Sequence, residues 1–209
     1  MTIESLTIHH VRIISNAEIF PAAAVNLIIG PNAAGKTSVL EAIDVLSRGR
    51  SFRTDKLERI ITTGADTMLV AARLQTSSGQ SMMVGLEKSR AGMHIKIQGR
   101  DADSIGELAT LMPVQALHPE SHQLIVGGPA HRRAFVDWGT FHVERDYGAL
   151  WRRYRRALRQ RNAALRAPGG MTAARAWNDE LSTTGDAVDE FRRRYLSRAL
   201  PAINVYCSE

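Results

Sequence analysis

The stretch GPNAAGKT, Gly30 to Thr37, has the glycine, lysine and hydroxyl spacing of a phosphate-binding loop. In such a turn, consecutive backbone N–H groups point inward and form a concave anion site. Gly30 and Gly35 permit the tight backbone that this arrangement requires. A helix that begins at the end of the loop adds the positive end of its dipole. The stretch therefore predicts a site for a nucleoside triphosphate.

Two side chains of the loop have roles that follow from their chemistry. The Lys36 ammonium is expected to reach the β- and γ-phosphates as a point charge, and the Thr37 hydroxyl to ligate Mg²⁺. The sequence thus predicts a nucleoside triphosphate and Mg²⁺ as the ligands of the loop. The predicted nucleotide-binding residues of the loop are Gly30, Pro31, Asn32, Ala33, Ala34, Gly35, Lys36, Thr37 and Ser38.

The segments on either side of the loop provide the context that the motif requires. Residues 24–30, AVNLIIG, form a continuous apolar run that ends in glycine, which predicts a buried strand. After the loop, apolar residues recur at helical spacing, and Gly49 is placed to end the helix. These apolar residues are Val39, Leu40, Ile43 and Leu46. The alternative, a plain glycine turn with an exposed lysine, does not explain both flanking patterns.

Strand patterns dominate the N-terminal part of the chain. Alternating or β-branched runs near the N-terminus predict strands, and the runs across residues 67–98 predict antiparallel strands. A short helix is expected to end at Met112, and VQAL at residues 114–117 predicts one more strand before His118.

Helical patterns dominate the C-terminal part. Helical signals begin at Pro129, and a last helical stretch runs from about residue 172 to residue 200. We therefore predict an α/β protein with a strand-rich, ATP-binding lobe over residues 1–125 and a helical lobe over residues 126–209.

The charge of the chain is concentrated in its C-terminal part. The 209 residues carry a net charge of +6. Residues 1–131 contain twelve basic and twelve acidic residues, whereas residues 132–209 contain fifteen basic and nine acidic residues, a difference of +6. Such asymmetry predicts a surface for a polyanion on the helical lobe.

The composition also indicates the cellular compartment of the protein. No apolar run approaches the roughly 18 residues of a membrane span, so no membrane association is expected. Cys207 is the only cysteine, which excludes an intramolecular disulfide and agrees with a reducing compartment. We therefore expect a cytoplasmic protein.

A phosphate loop that hydrolyses ATP works with an acidic segment, in which a strand of apolar residues ends in an Asp that holds Mg²⁺. AFVDW at residues 134–138 comes closest, but it has only three apolar residues before Asp137 and follows a helical pattern. TSSGQ at residues 76–80 is similar to the Ser-x-Gly-Gln signature of ABC-type ATPases, but its setting predicts a hairpin turn rather than the start of a helix. No catalytic residue is assigned.

Residues 144–167 predict a long, basic, amphipathic helix. Its apolar stripe contains Trp151, Tyr154, Leu158 and Leu165, and we expect the two aromatic rings in a core rather than stacked on bases. Between Arg152 and Arg166 the remaining faces carry no acid and seven arginines: Arg152, Arg153, Arg155, Arg156, Arg159, Arg161 and Arg166. Arginines that meet phosphates release counterions, which predicts salt-dependent DNA binding. The alternative is a solvated helix face.

Four motifs in order resemble the RecF family of bacterial DNA replication and repair proteins: GPNAAGKTSVLEAI, GRSFRTDKL, ALHPE and GGPAHRRAFVDWG. The resemblance implies a P-loop NTPase of the ABC/SMC-head type, with a strand-rich ATP-binding lobe and a helical second lobe. It further implies an ATP-dependent homodimer that binds single-stranded and linear duplex DNA. Work with the RecO and RecR proteins in RecA loading, and a link to the SOS response, are also implied.

The resemblance assigns further residues. Arg53, in RSFRT, is expected to approach phosphate, with a surface arginine as the alternative, and Gln115, in PVQAL, to contact ATP or Mg²⁺, with a solvated glutamine as the alternative. The arginines expected to bind DNA are Arg132, Arg133, Arg152, Arg153, Arg155, Arg156 and Arg159.

The chain departs from the RecF pattern in two ways. Ala33 occupies a loop position where the family usually has glycine. The family's acidic and signature segments lie beyond residue 209, so the chain resembles an N-terminal fragment that binds ATP with little or no hydrolysis by itself. Two other hypotheses remain open: a P-loop ATPase of another class, either a transporter-type ATPase or a small-molecule kinase, and an inactive truncated product.

Overall fold

The structure, a computed structural model, describes residues 1–76 and 78–208. The chain divides into two compact units, Met1–Leu117 and His118–Glu209. This division comes earlier than the predicted one at residue 125. The reason is that the short helices at Pro119–His122 and Gln123–Val126 (α3) pack with one another and with the helix that follows them.

The first unit is built on a six-stranded antiparallel sheet with the strand order β2-β1-β3-β4-β5-β6. Side chains alternate along each strand, so that one face of β3 places Met68, Val70, Ala72 and Leu74 in the core. The antiparallel strands predicted between residues 67 and 98 are confirmed. The strands are Thr2–Val11 (β1), Ile14–Ile19 (β2), Thr67–Gln75 (β3), Ser81–Ser89 (β4), Met93–Ile97 (β5) and Arg100–Asp101 (β6).

Two helices cover the buried face of this sheet. The helix that follows the phosphate loop is Lys36–Arg48 (α1), and it packs beside Ile105–Leu111 (α2). Gly49 ends α1 as predicted: its φ is 62°, and its N–H donates to the Val45 carbonyl at 2.8 Å. A Cβ at residue 49 would lie 2.6 Å from the Ile105 side chain, so the close packing of α1 and α2 also requires glycine there.

The predicted apolar stripe of α1 is wrong in part. Leu46 is fully buried, but Leu40 is 53% exposed, whereas the carboxylates of Glu41 and Asp44 are fully buried. Burial of a charge is costly unless a partner compensates it. Glu41 meets Arg12, and Asp44 forms an ion pair with Arg48, so these two carboxylates share the inward face of α1 with the buried Ala42, Val45 and Leu46.

Residues 24–30 do not form the predicted buried strand. They have no regular secondary structure, and Val25, Leu27 and Ile29 are 88%, 81% and 82% exposed. A strand of this composition needs neighbours for its backbone hydrogen bonds and covering layers for its side chains. In the described ranges no strand pairs with it. The strand predicted at residues 114–117 is absent for the same reason, and Leu117 is 85% exposed.

The second unit is helical, as predicted. Buried side chains on four helices contribute to its core: Thr140, Tyr147, Ala157, Ala174, Thr184 and Val188. Its α-helices after α3 are Pro129–Val143 (α4), Tyr147–Arg166 (α5), Met171–Arg175 (α6) and Asn178–Cys207 (α7). Helix α5 packs against α6 and α7, and α4 packs against α7.

The last helix extends beyond the predicted end at residue 200. It continues through Pro201 to Cys207, because the proline removes one backbone hydrogen bond but leaves those on either side. Of the helices in the described parts of the chain, none has the length and hydropathy to cross a membrane.

Candidate nucleotide-binding site

The phosphate loop adopts a backbone that permits close approach of an anion. Gly35, immediately before α1, has a φ of 90°, which is the left-handed region that favours glycine. Ala33 has a φ of 65° in the same region. The usual glycine at this position of RecF-like loops thus has a conformational reason, and Ala33 adopts the conformation at a cost of about 1–2 kcal/mol.

The Lys36 side chain is held across the loop. Its Nζ donates to the carbonyl oxygens of Gly30 and Pro31, both at 2.8 Å. These bonds fix the ammonium over the concave side of the loop, at the start of α1, where the first backbone N–H groups have no helical partner. The charge and the free donors therefore face the same space.

That space is a pocket of about 460 Å³ in the first unit. Three cationic side chains contribute to it, and none of its lining residues carries a carboxylate. Its size and positive charge suit a chain of phosphates rather than a neutral ligand. The lining residues are Arg12, Ile13, Asn32, Ala33, Ala34, Gly35, Lys36, Thr37, Ser38 and Arg53.

A buried carboxylate, Glu41, lies behind this pocket. It accepts hydrogen bonds from Arg12 Nε at 3.0 Å and Nη2 at 2.8 Å, and from Ser51 Oγ at 2.5 Å. Arg53 Nη1 lies 3.6 Å from its second oxygen. Burial by itself would raise the pKa of Glu41, but the hydrogen bonds from Arg12 and Ser51 and the two guanidinium charges hold the pKa below its usual value. The group is therefore ionised at neutral pH.

Sequence reasoning missed two pocket residues, Ile13 and the cationic Arg12. Arg12 lies in the tight turn between β1 and β2 with a φ of 58°, and its Nη1 donates to the Arg59 carbonyl at 3.0 Å. The sequence pattern placed Arg12 within the strand run SLTIHHVRI, residues 5–13, and nothing in the spacing relates it to Lys36. The contact arises only when the sheet folds against α1.

Asp137, considered above as a possible metal acid, is occupied by structural contacts in the second unit. Tyr147 Oη donates to one carboxylate oxygen, and Trp151 Nε1 donates to the other at 3.2 Å. Arg192 adds two hydrogen bonds, at 2.7 and 3.0 Å. Residues 134–138 lie inside α4, so their predicted helical character is confirmed. Burial and the adjacent carboxylate raise the pKa of Tyr147, which keeps its hydroxyl a donor.

A sequence model of the RecF/RecN/SMC N-terminal domain matches residues 2–198. The chain belongs to this family. The DNA replication and repair protein RecF of Thioalkalivibrio sulfidiphilus (strain HL-EbGR7) is 42% identical over 205 residues, which are 98% of this chain and 57% of that relative. The chain thus spans little more than half the length of such relatives.

Two solved structures of the recombination mediator protein RecF in the RecFOR pathway, one with ATP and one with ATPrS, have a similar fold. Their TM-scores are 0.84 and 0.83 at 24% and 25% identity, and the matches cover 94% and 93% of this chain and 54% of each of those chains. The resemblance to RecF and the fold class, a P-loop NTPase of the ABC/SMC type, are confirmed. A P-loop ATPase of another class is not favoured.

The structure brings some of the residues expected from RecF together and leaves others apart. Arg53 lines the pocket with the loop. Gln115 is exposed and is not a lining residue, so its contact with ATP or Mg²⁺ remains a prediction. The signature-like string at residues 76–80 connects β3 to β4, with Thr76 N–H donating to the Gln80 carbonyl at 2.9 Å, although Ser77 lies outside the described residues.

A magnesium site built mainly from protein carboxylates is not found in this RecF-type lobe. Over residues 1–76 and 78–208, no group of three or more His, Cys, Asp or Glu could hold a metal ion. Mg²⁺ in nucleotide sites keeps several waters and is bound by phosphate oxygens with one or two protein ligands. The exposed Thr37 hydroxyl in the pocket fits that role.

The arginines of α5 divide into two groups. Arg153 donates to both Glu180 oxygens at 3.1 and 3.2 Å, and Arg161 donates to Asn178 at 2.9 Å, so these two side chains are engaged with α7. At 100° per residue, the other five lie within an arc of about 100° on the side of the helix away from Arg161, with Arg156 at the edge of the arc nearest to Arg153. We call these five the outer arginine face: Arg152, Arg155, Arg156, Arg159 and Arg166. All five are exposed, and no ion pair with a described acid involves them.

Two other predicted DNA contacts differ from each other. Arg132 Nη1 donates to the carbonyls of Leu124, Ile125 and Gly127 at 3.4, 3.3 and 2.9 Å, so it caps the end of α3. Arg133 is exposed.

Trp151 and Tyr154 are half-buried rather than exposed, and Arg155 lies over the Trp151 ring at 5.3 Å.

Proposed function

We propose that this chain is the ATP-binding part of a RecF-type protein of DNA replication, recombinational repair and the SOS response. The observation that carries the proposal is the pocket in which Lys36, Arg12 and Arg53 face the open side of a phosphate loop. Support comes from relatives named DNA replication and repair protein RecF, and from a RecF of similar fold solved with ATPrS.

The residues of the pocket act on the phosphates in distinct ways. Backbone N–H groups at the start of α1 meet phosphate oxygens, and Lys36 supplies a point charge over the β- and γ-phosphates. Thr37 would hold Mg²⁺, which neutralises phosphate charge when bound. Arg12 and Arg53 offer planar guanidinium groups at the rim.

Hydrolysis by this chain alone is expected to be slow. Attack on the γ-phosphate needs a group that orients water, and the described pocket has no carboxylate free for that task, because Glu41 is bonded to Arg12 and Ser51. In a phosphate-release assay with saturating Mg·ATP, we expect turnover far below about 1 s⁻¹. Turnover near that value, lost in Lys36→Ala, would contradict this and favour a P-loop ATPase of another class.

The second part of the proposal is DNA binding by the helical unit. The outer arginine face concentrates positive charge on one side of α5, and a polyanion with regularly spaced phosphates fits it. Such binding neutralises backbone phosphates and is indifferent to sequence, so single-stranded and linear duplex DNA are both ligands. Arg153, Arg132 and Arg133 remain predicted contacts, although Arg153 and Arg132 would have to exchange their bonds to Glu180 and to the end of α3 for a phosphate.

Removing part of the outer arginine face should change the salt dependence of DNA binding. In Arg152→Ala/Arg156→Ala/Arg159→Ala, the slope of log K against log salt for duplex DNA should fall by about 2.7, at about 0.9 per lost phosphate contact. Fluorescence anisotropy at several salt concentrations measures the slope. Arg153→Gln is the matched control and should change it by less than about one third of that amount. Equal slopes for the triple variant and the unmodified chain would exclude this face.

Partners and location complete the proposal. We propose contacts with the RecO and RecR proteins in RecA loading, and a homodimer that forms with ATP, on the basis of the RecF resemblance. A cytoplasmic location agrees with Cys207, an exposed free thiol of the kind that persists in a reducing compartment. Sedimentation of the chain with and without Mg·ATP tests dimer formation.

A further inference from the structure

We propose that Glu41 is a positioning residue that sets the two pocket arginines, Arg12 and Arg53, in the geometry that receives the phosphates. The inference deepens the proposed ATP-binding function and rests on it. Glu41 itself does not line the pocket, and it acts through the guanidinium groups that do.

The Glu41 carboxylate, on α1, connects this helix to two other segments around the pocket. Its Oε1 accepts from Arg12 Nη2, in the β1–β2 turn, and from Ser51 Oγ, in the loop after α1. Its Oε2 accepts from Arg12 Nε and lies 3.6 Å from Arg53 Nη1. Ser51 Oγ in turn accepts the Arg53 backbone N–H at 2.9 Å. Glu41 therefore contacts the Arg53 side chain directly and the Arg53 backbone through Ser51.

The charges explain why a carboxylate is needed at this place. Two guanidinium groups at one rim, next to Lys36, would repel each other and turn outward to solvent. A buried anion between them offsets that repulsion, and the planar fork of Arg12 matches its two oxygens. Without Glu41 the pocket would keep its cationic side chains, but the two guanidinium groups would no longer be oriented toward the phosphates.

The two arginines are held to different degrees. Arg12 makes two hydrogen bonds to Glu41, and its side chain is 25% exposed, so it is fixed. Arg53 has one longer contact and is 48% exposed, so it can turn onto a phosphate while Arg12 stays in place. Glu41 thus fixes one arginine and keeps the second within reach of the pocket.

The first test needs no nucleotide. The hydrogen bond to Glu41 raises the pKa of Arg12, and phenylglyoxal reacts with neutral guanidine, so Arg12 should be protected. In Glu41→Gln, labelling at Arg12 measured by peptide mass spectrometry should increase several-fold, while Arg73, an exposed arginine of β3, is unchanged. Unchanged labelling at Arg12 in the folded variant would overturn the proposal.

The second test is a double-mutant cycle on Mg·ATP affinity, measured by calorimetry. Glu41→Gln should weaken binding about tenfold, the size of a mid-range coupling between contacting residues. In an Arg12→Ala/Arg53→Ala background the same substitution should change affinity by less than about twofold, since Glu41 acts through these side chains. An equal loss in both backgrounds would show a purely structural role and overturn the proposal.

Two controls separate the possible failures. Glu58→Gln removes an exposed glutamate of the same unit that pairs with Lys88, and it should leave labelling and affinity unchanged. If circular dichroism shows that Glu41→Gln does not fold, Ser51→Ala replaces it. Arg12 labelling should then increase by a smaller factor. Unchanged labelling in Ser51→Ala would contradict the proposal. If the unmodified chain binds no ATP, the proposed function fails, while the labelling result still decides the role of Glu41.

Discussion

Lys36→Ala is expected to weaken Mg·ATP binding by about 30- to 150-fold, which corresponds to about 2–3 kcal/mol for a charge-assisted interaction with phosphate. The substitution removes the cation that Gly30 and Pro31 hold over the loop. Those two carbonyls are exposed, so water replaces the lost donor and the fold should survive. Isothermal titration calorimetry measures the affinity.

The matched control is Lys96→Ala, which removes an exposed lysine from β5 of the same unit. It should bind Mg·ATP as the unmodified chain does. A thermal melt followed by circular dichroism shows whether each variant is folded. Unchanged affinity in a folded Lys36→Ala variant would exclude this loop as the phosphate site, and with it the basis of the proposed function.

The phosphate loop could be predicted from the sequence because its geometry is local. The left-handed backbone at Gly35 and the start of α1 at Lys36 depend on a few neighbouring residues, and these are the residues that the motif contains. The antiparallel strands between residues 67 and 98 were predictable for a similar reason, since alternation reports on one buried face.

The ion pair behind the pocket could not be predicted in the same way. Glu41 and Arg12 are 29 residues apart, and their contact depends on how the sheet packs on α1. A helix pattern that scores apolar residues favours Leu40 as the buried neighbour, whereas the structure buries Glu41. Ion pairs formed across a fold leave no period in the sequence, so only the structure identifies them.

The strand predicted at residues 24–30 is wrong because its local pattern carries no information about pairing. Its apolar composition is a sound local signal, but a strand exists only when other strands accept its hydrogen bonds. No strand of the described residues pairs with this run, and its side chains are exposed. The apolar composition of a segment therefore does not by itself predict a strand, because pairing depends on residues far away in the sequence.

In α5 the sequence predicted the basic helix but not the division of its arginines. The apolar stripe was visible, and Tyr154 and Trp151 are half-buried as a core assignment requires. That Arg153 and Arg161 turn toward α7 follows from the acceptors Glu180 and Asn178, which belong to another helix. Of the seven arginines of α5, five therefore belong to the outer arginine face.

Asp137→Ala is expected to lower the free energy of unfolding of the helical unit by about 3 kcal/mol. The carboxylate is 20% exposed and joins three helices, because it accepts from Tyr147 and Trp151 on α5 and from Arg192 on α7. Removing it leaves a partly buried guanidinium without its anion and two donors without an acceptor, and an uncompensated charge costs more than a lost surface contact.

The distribution of tryptophans makes this prediction measurable on one unit alone. The chain has three tryptophans, and all lie after residue 117, at positions 138, 151 and 177. Urea unfolding followed by tryptophan fluorescence therefore reports the helical unit and not the ATP-binding one. Each variant is normalised to its own folded baseline, since Trp151 contacts the mutated carboxylate.

Asp189→Ala is the control that separates the network from an ordinary ion pair. Asp189 pairs with Arg193 one turn away on α7, with side chains 51% and 80% exposed, and such pairs contribute about 0.5 kcal/mol or less. If Asp137→Ala cost no more than this control, the four hydrogen bonds to Asp137 would not stabilise the unit. The carboxylate would then be free for another role, and its exclusion as a metal acid would have to rest on its helical setting alone.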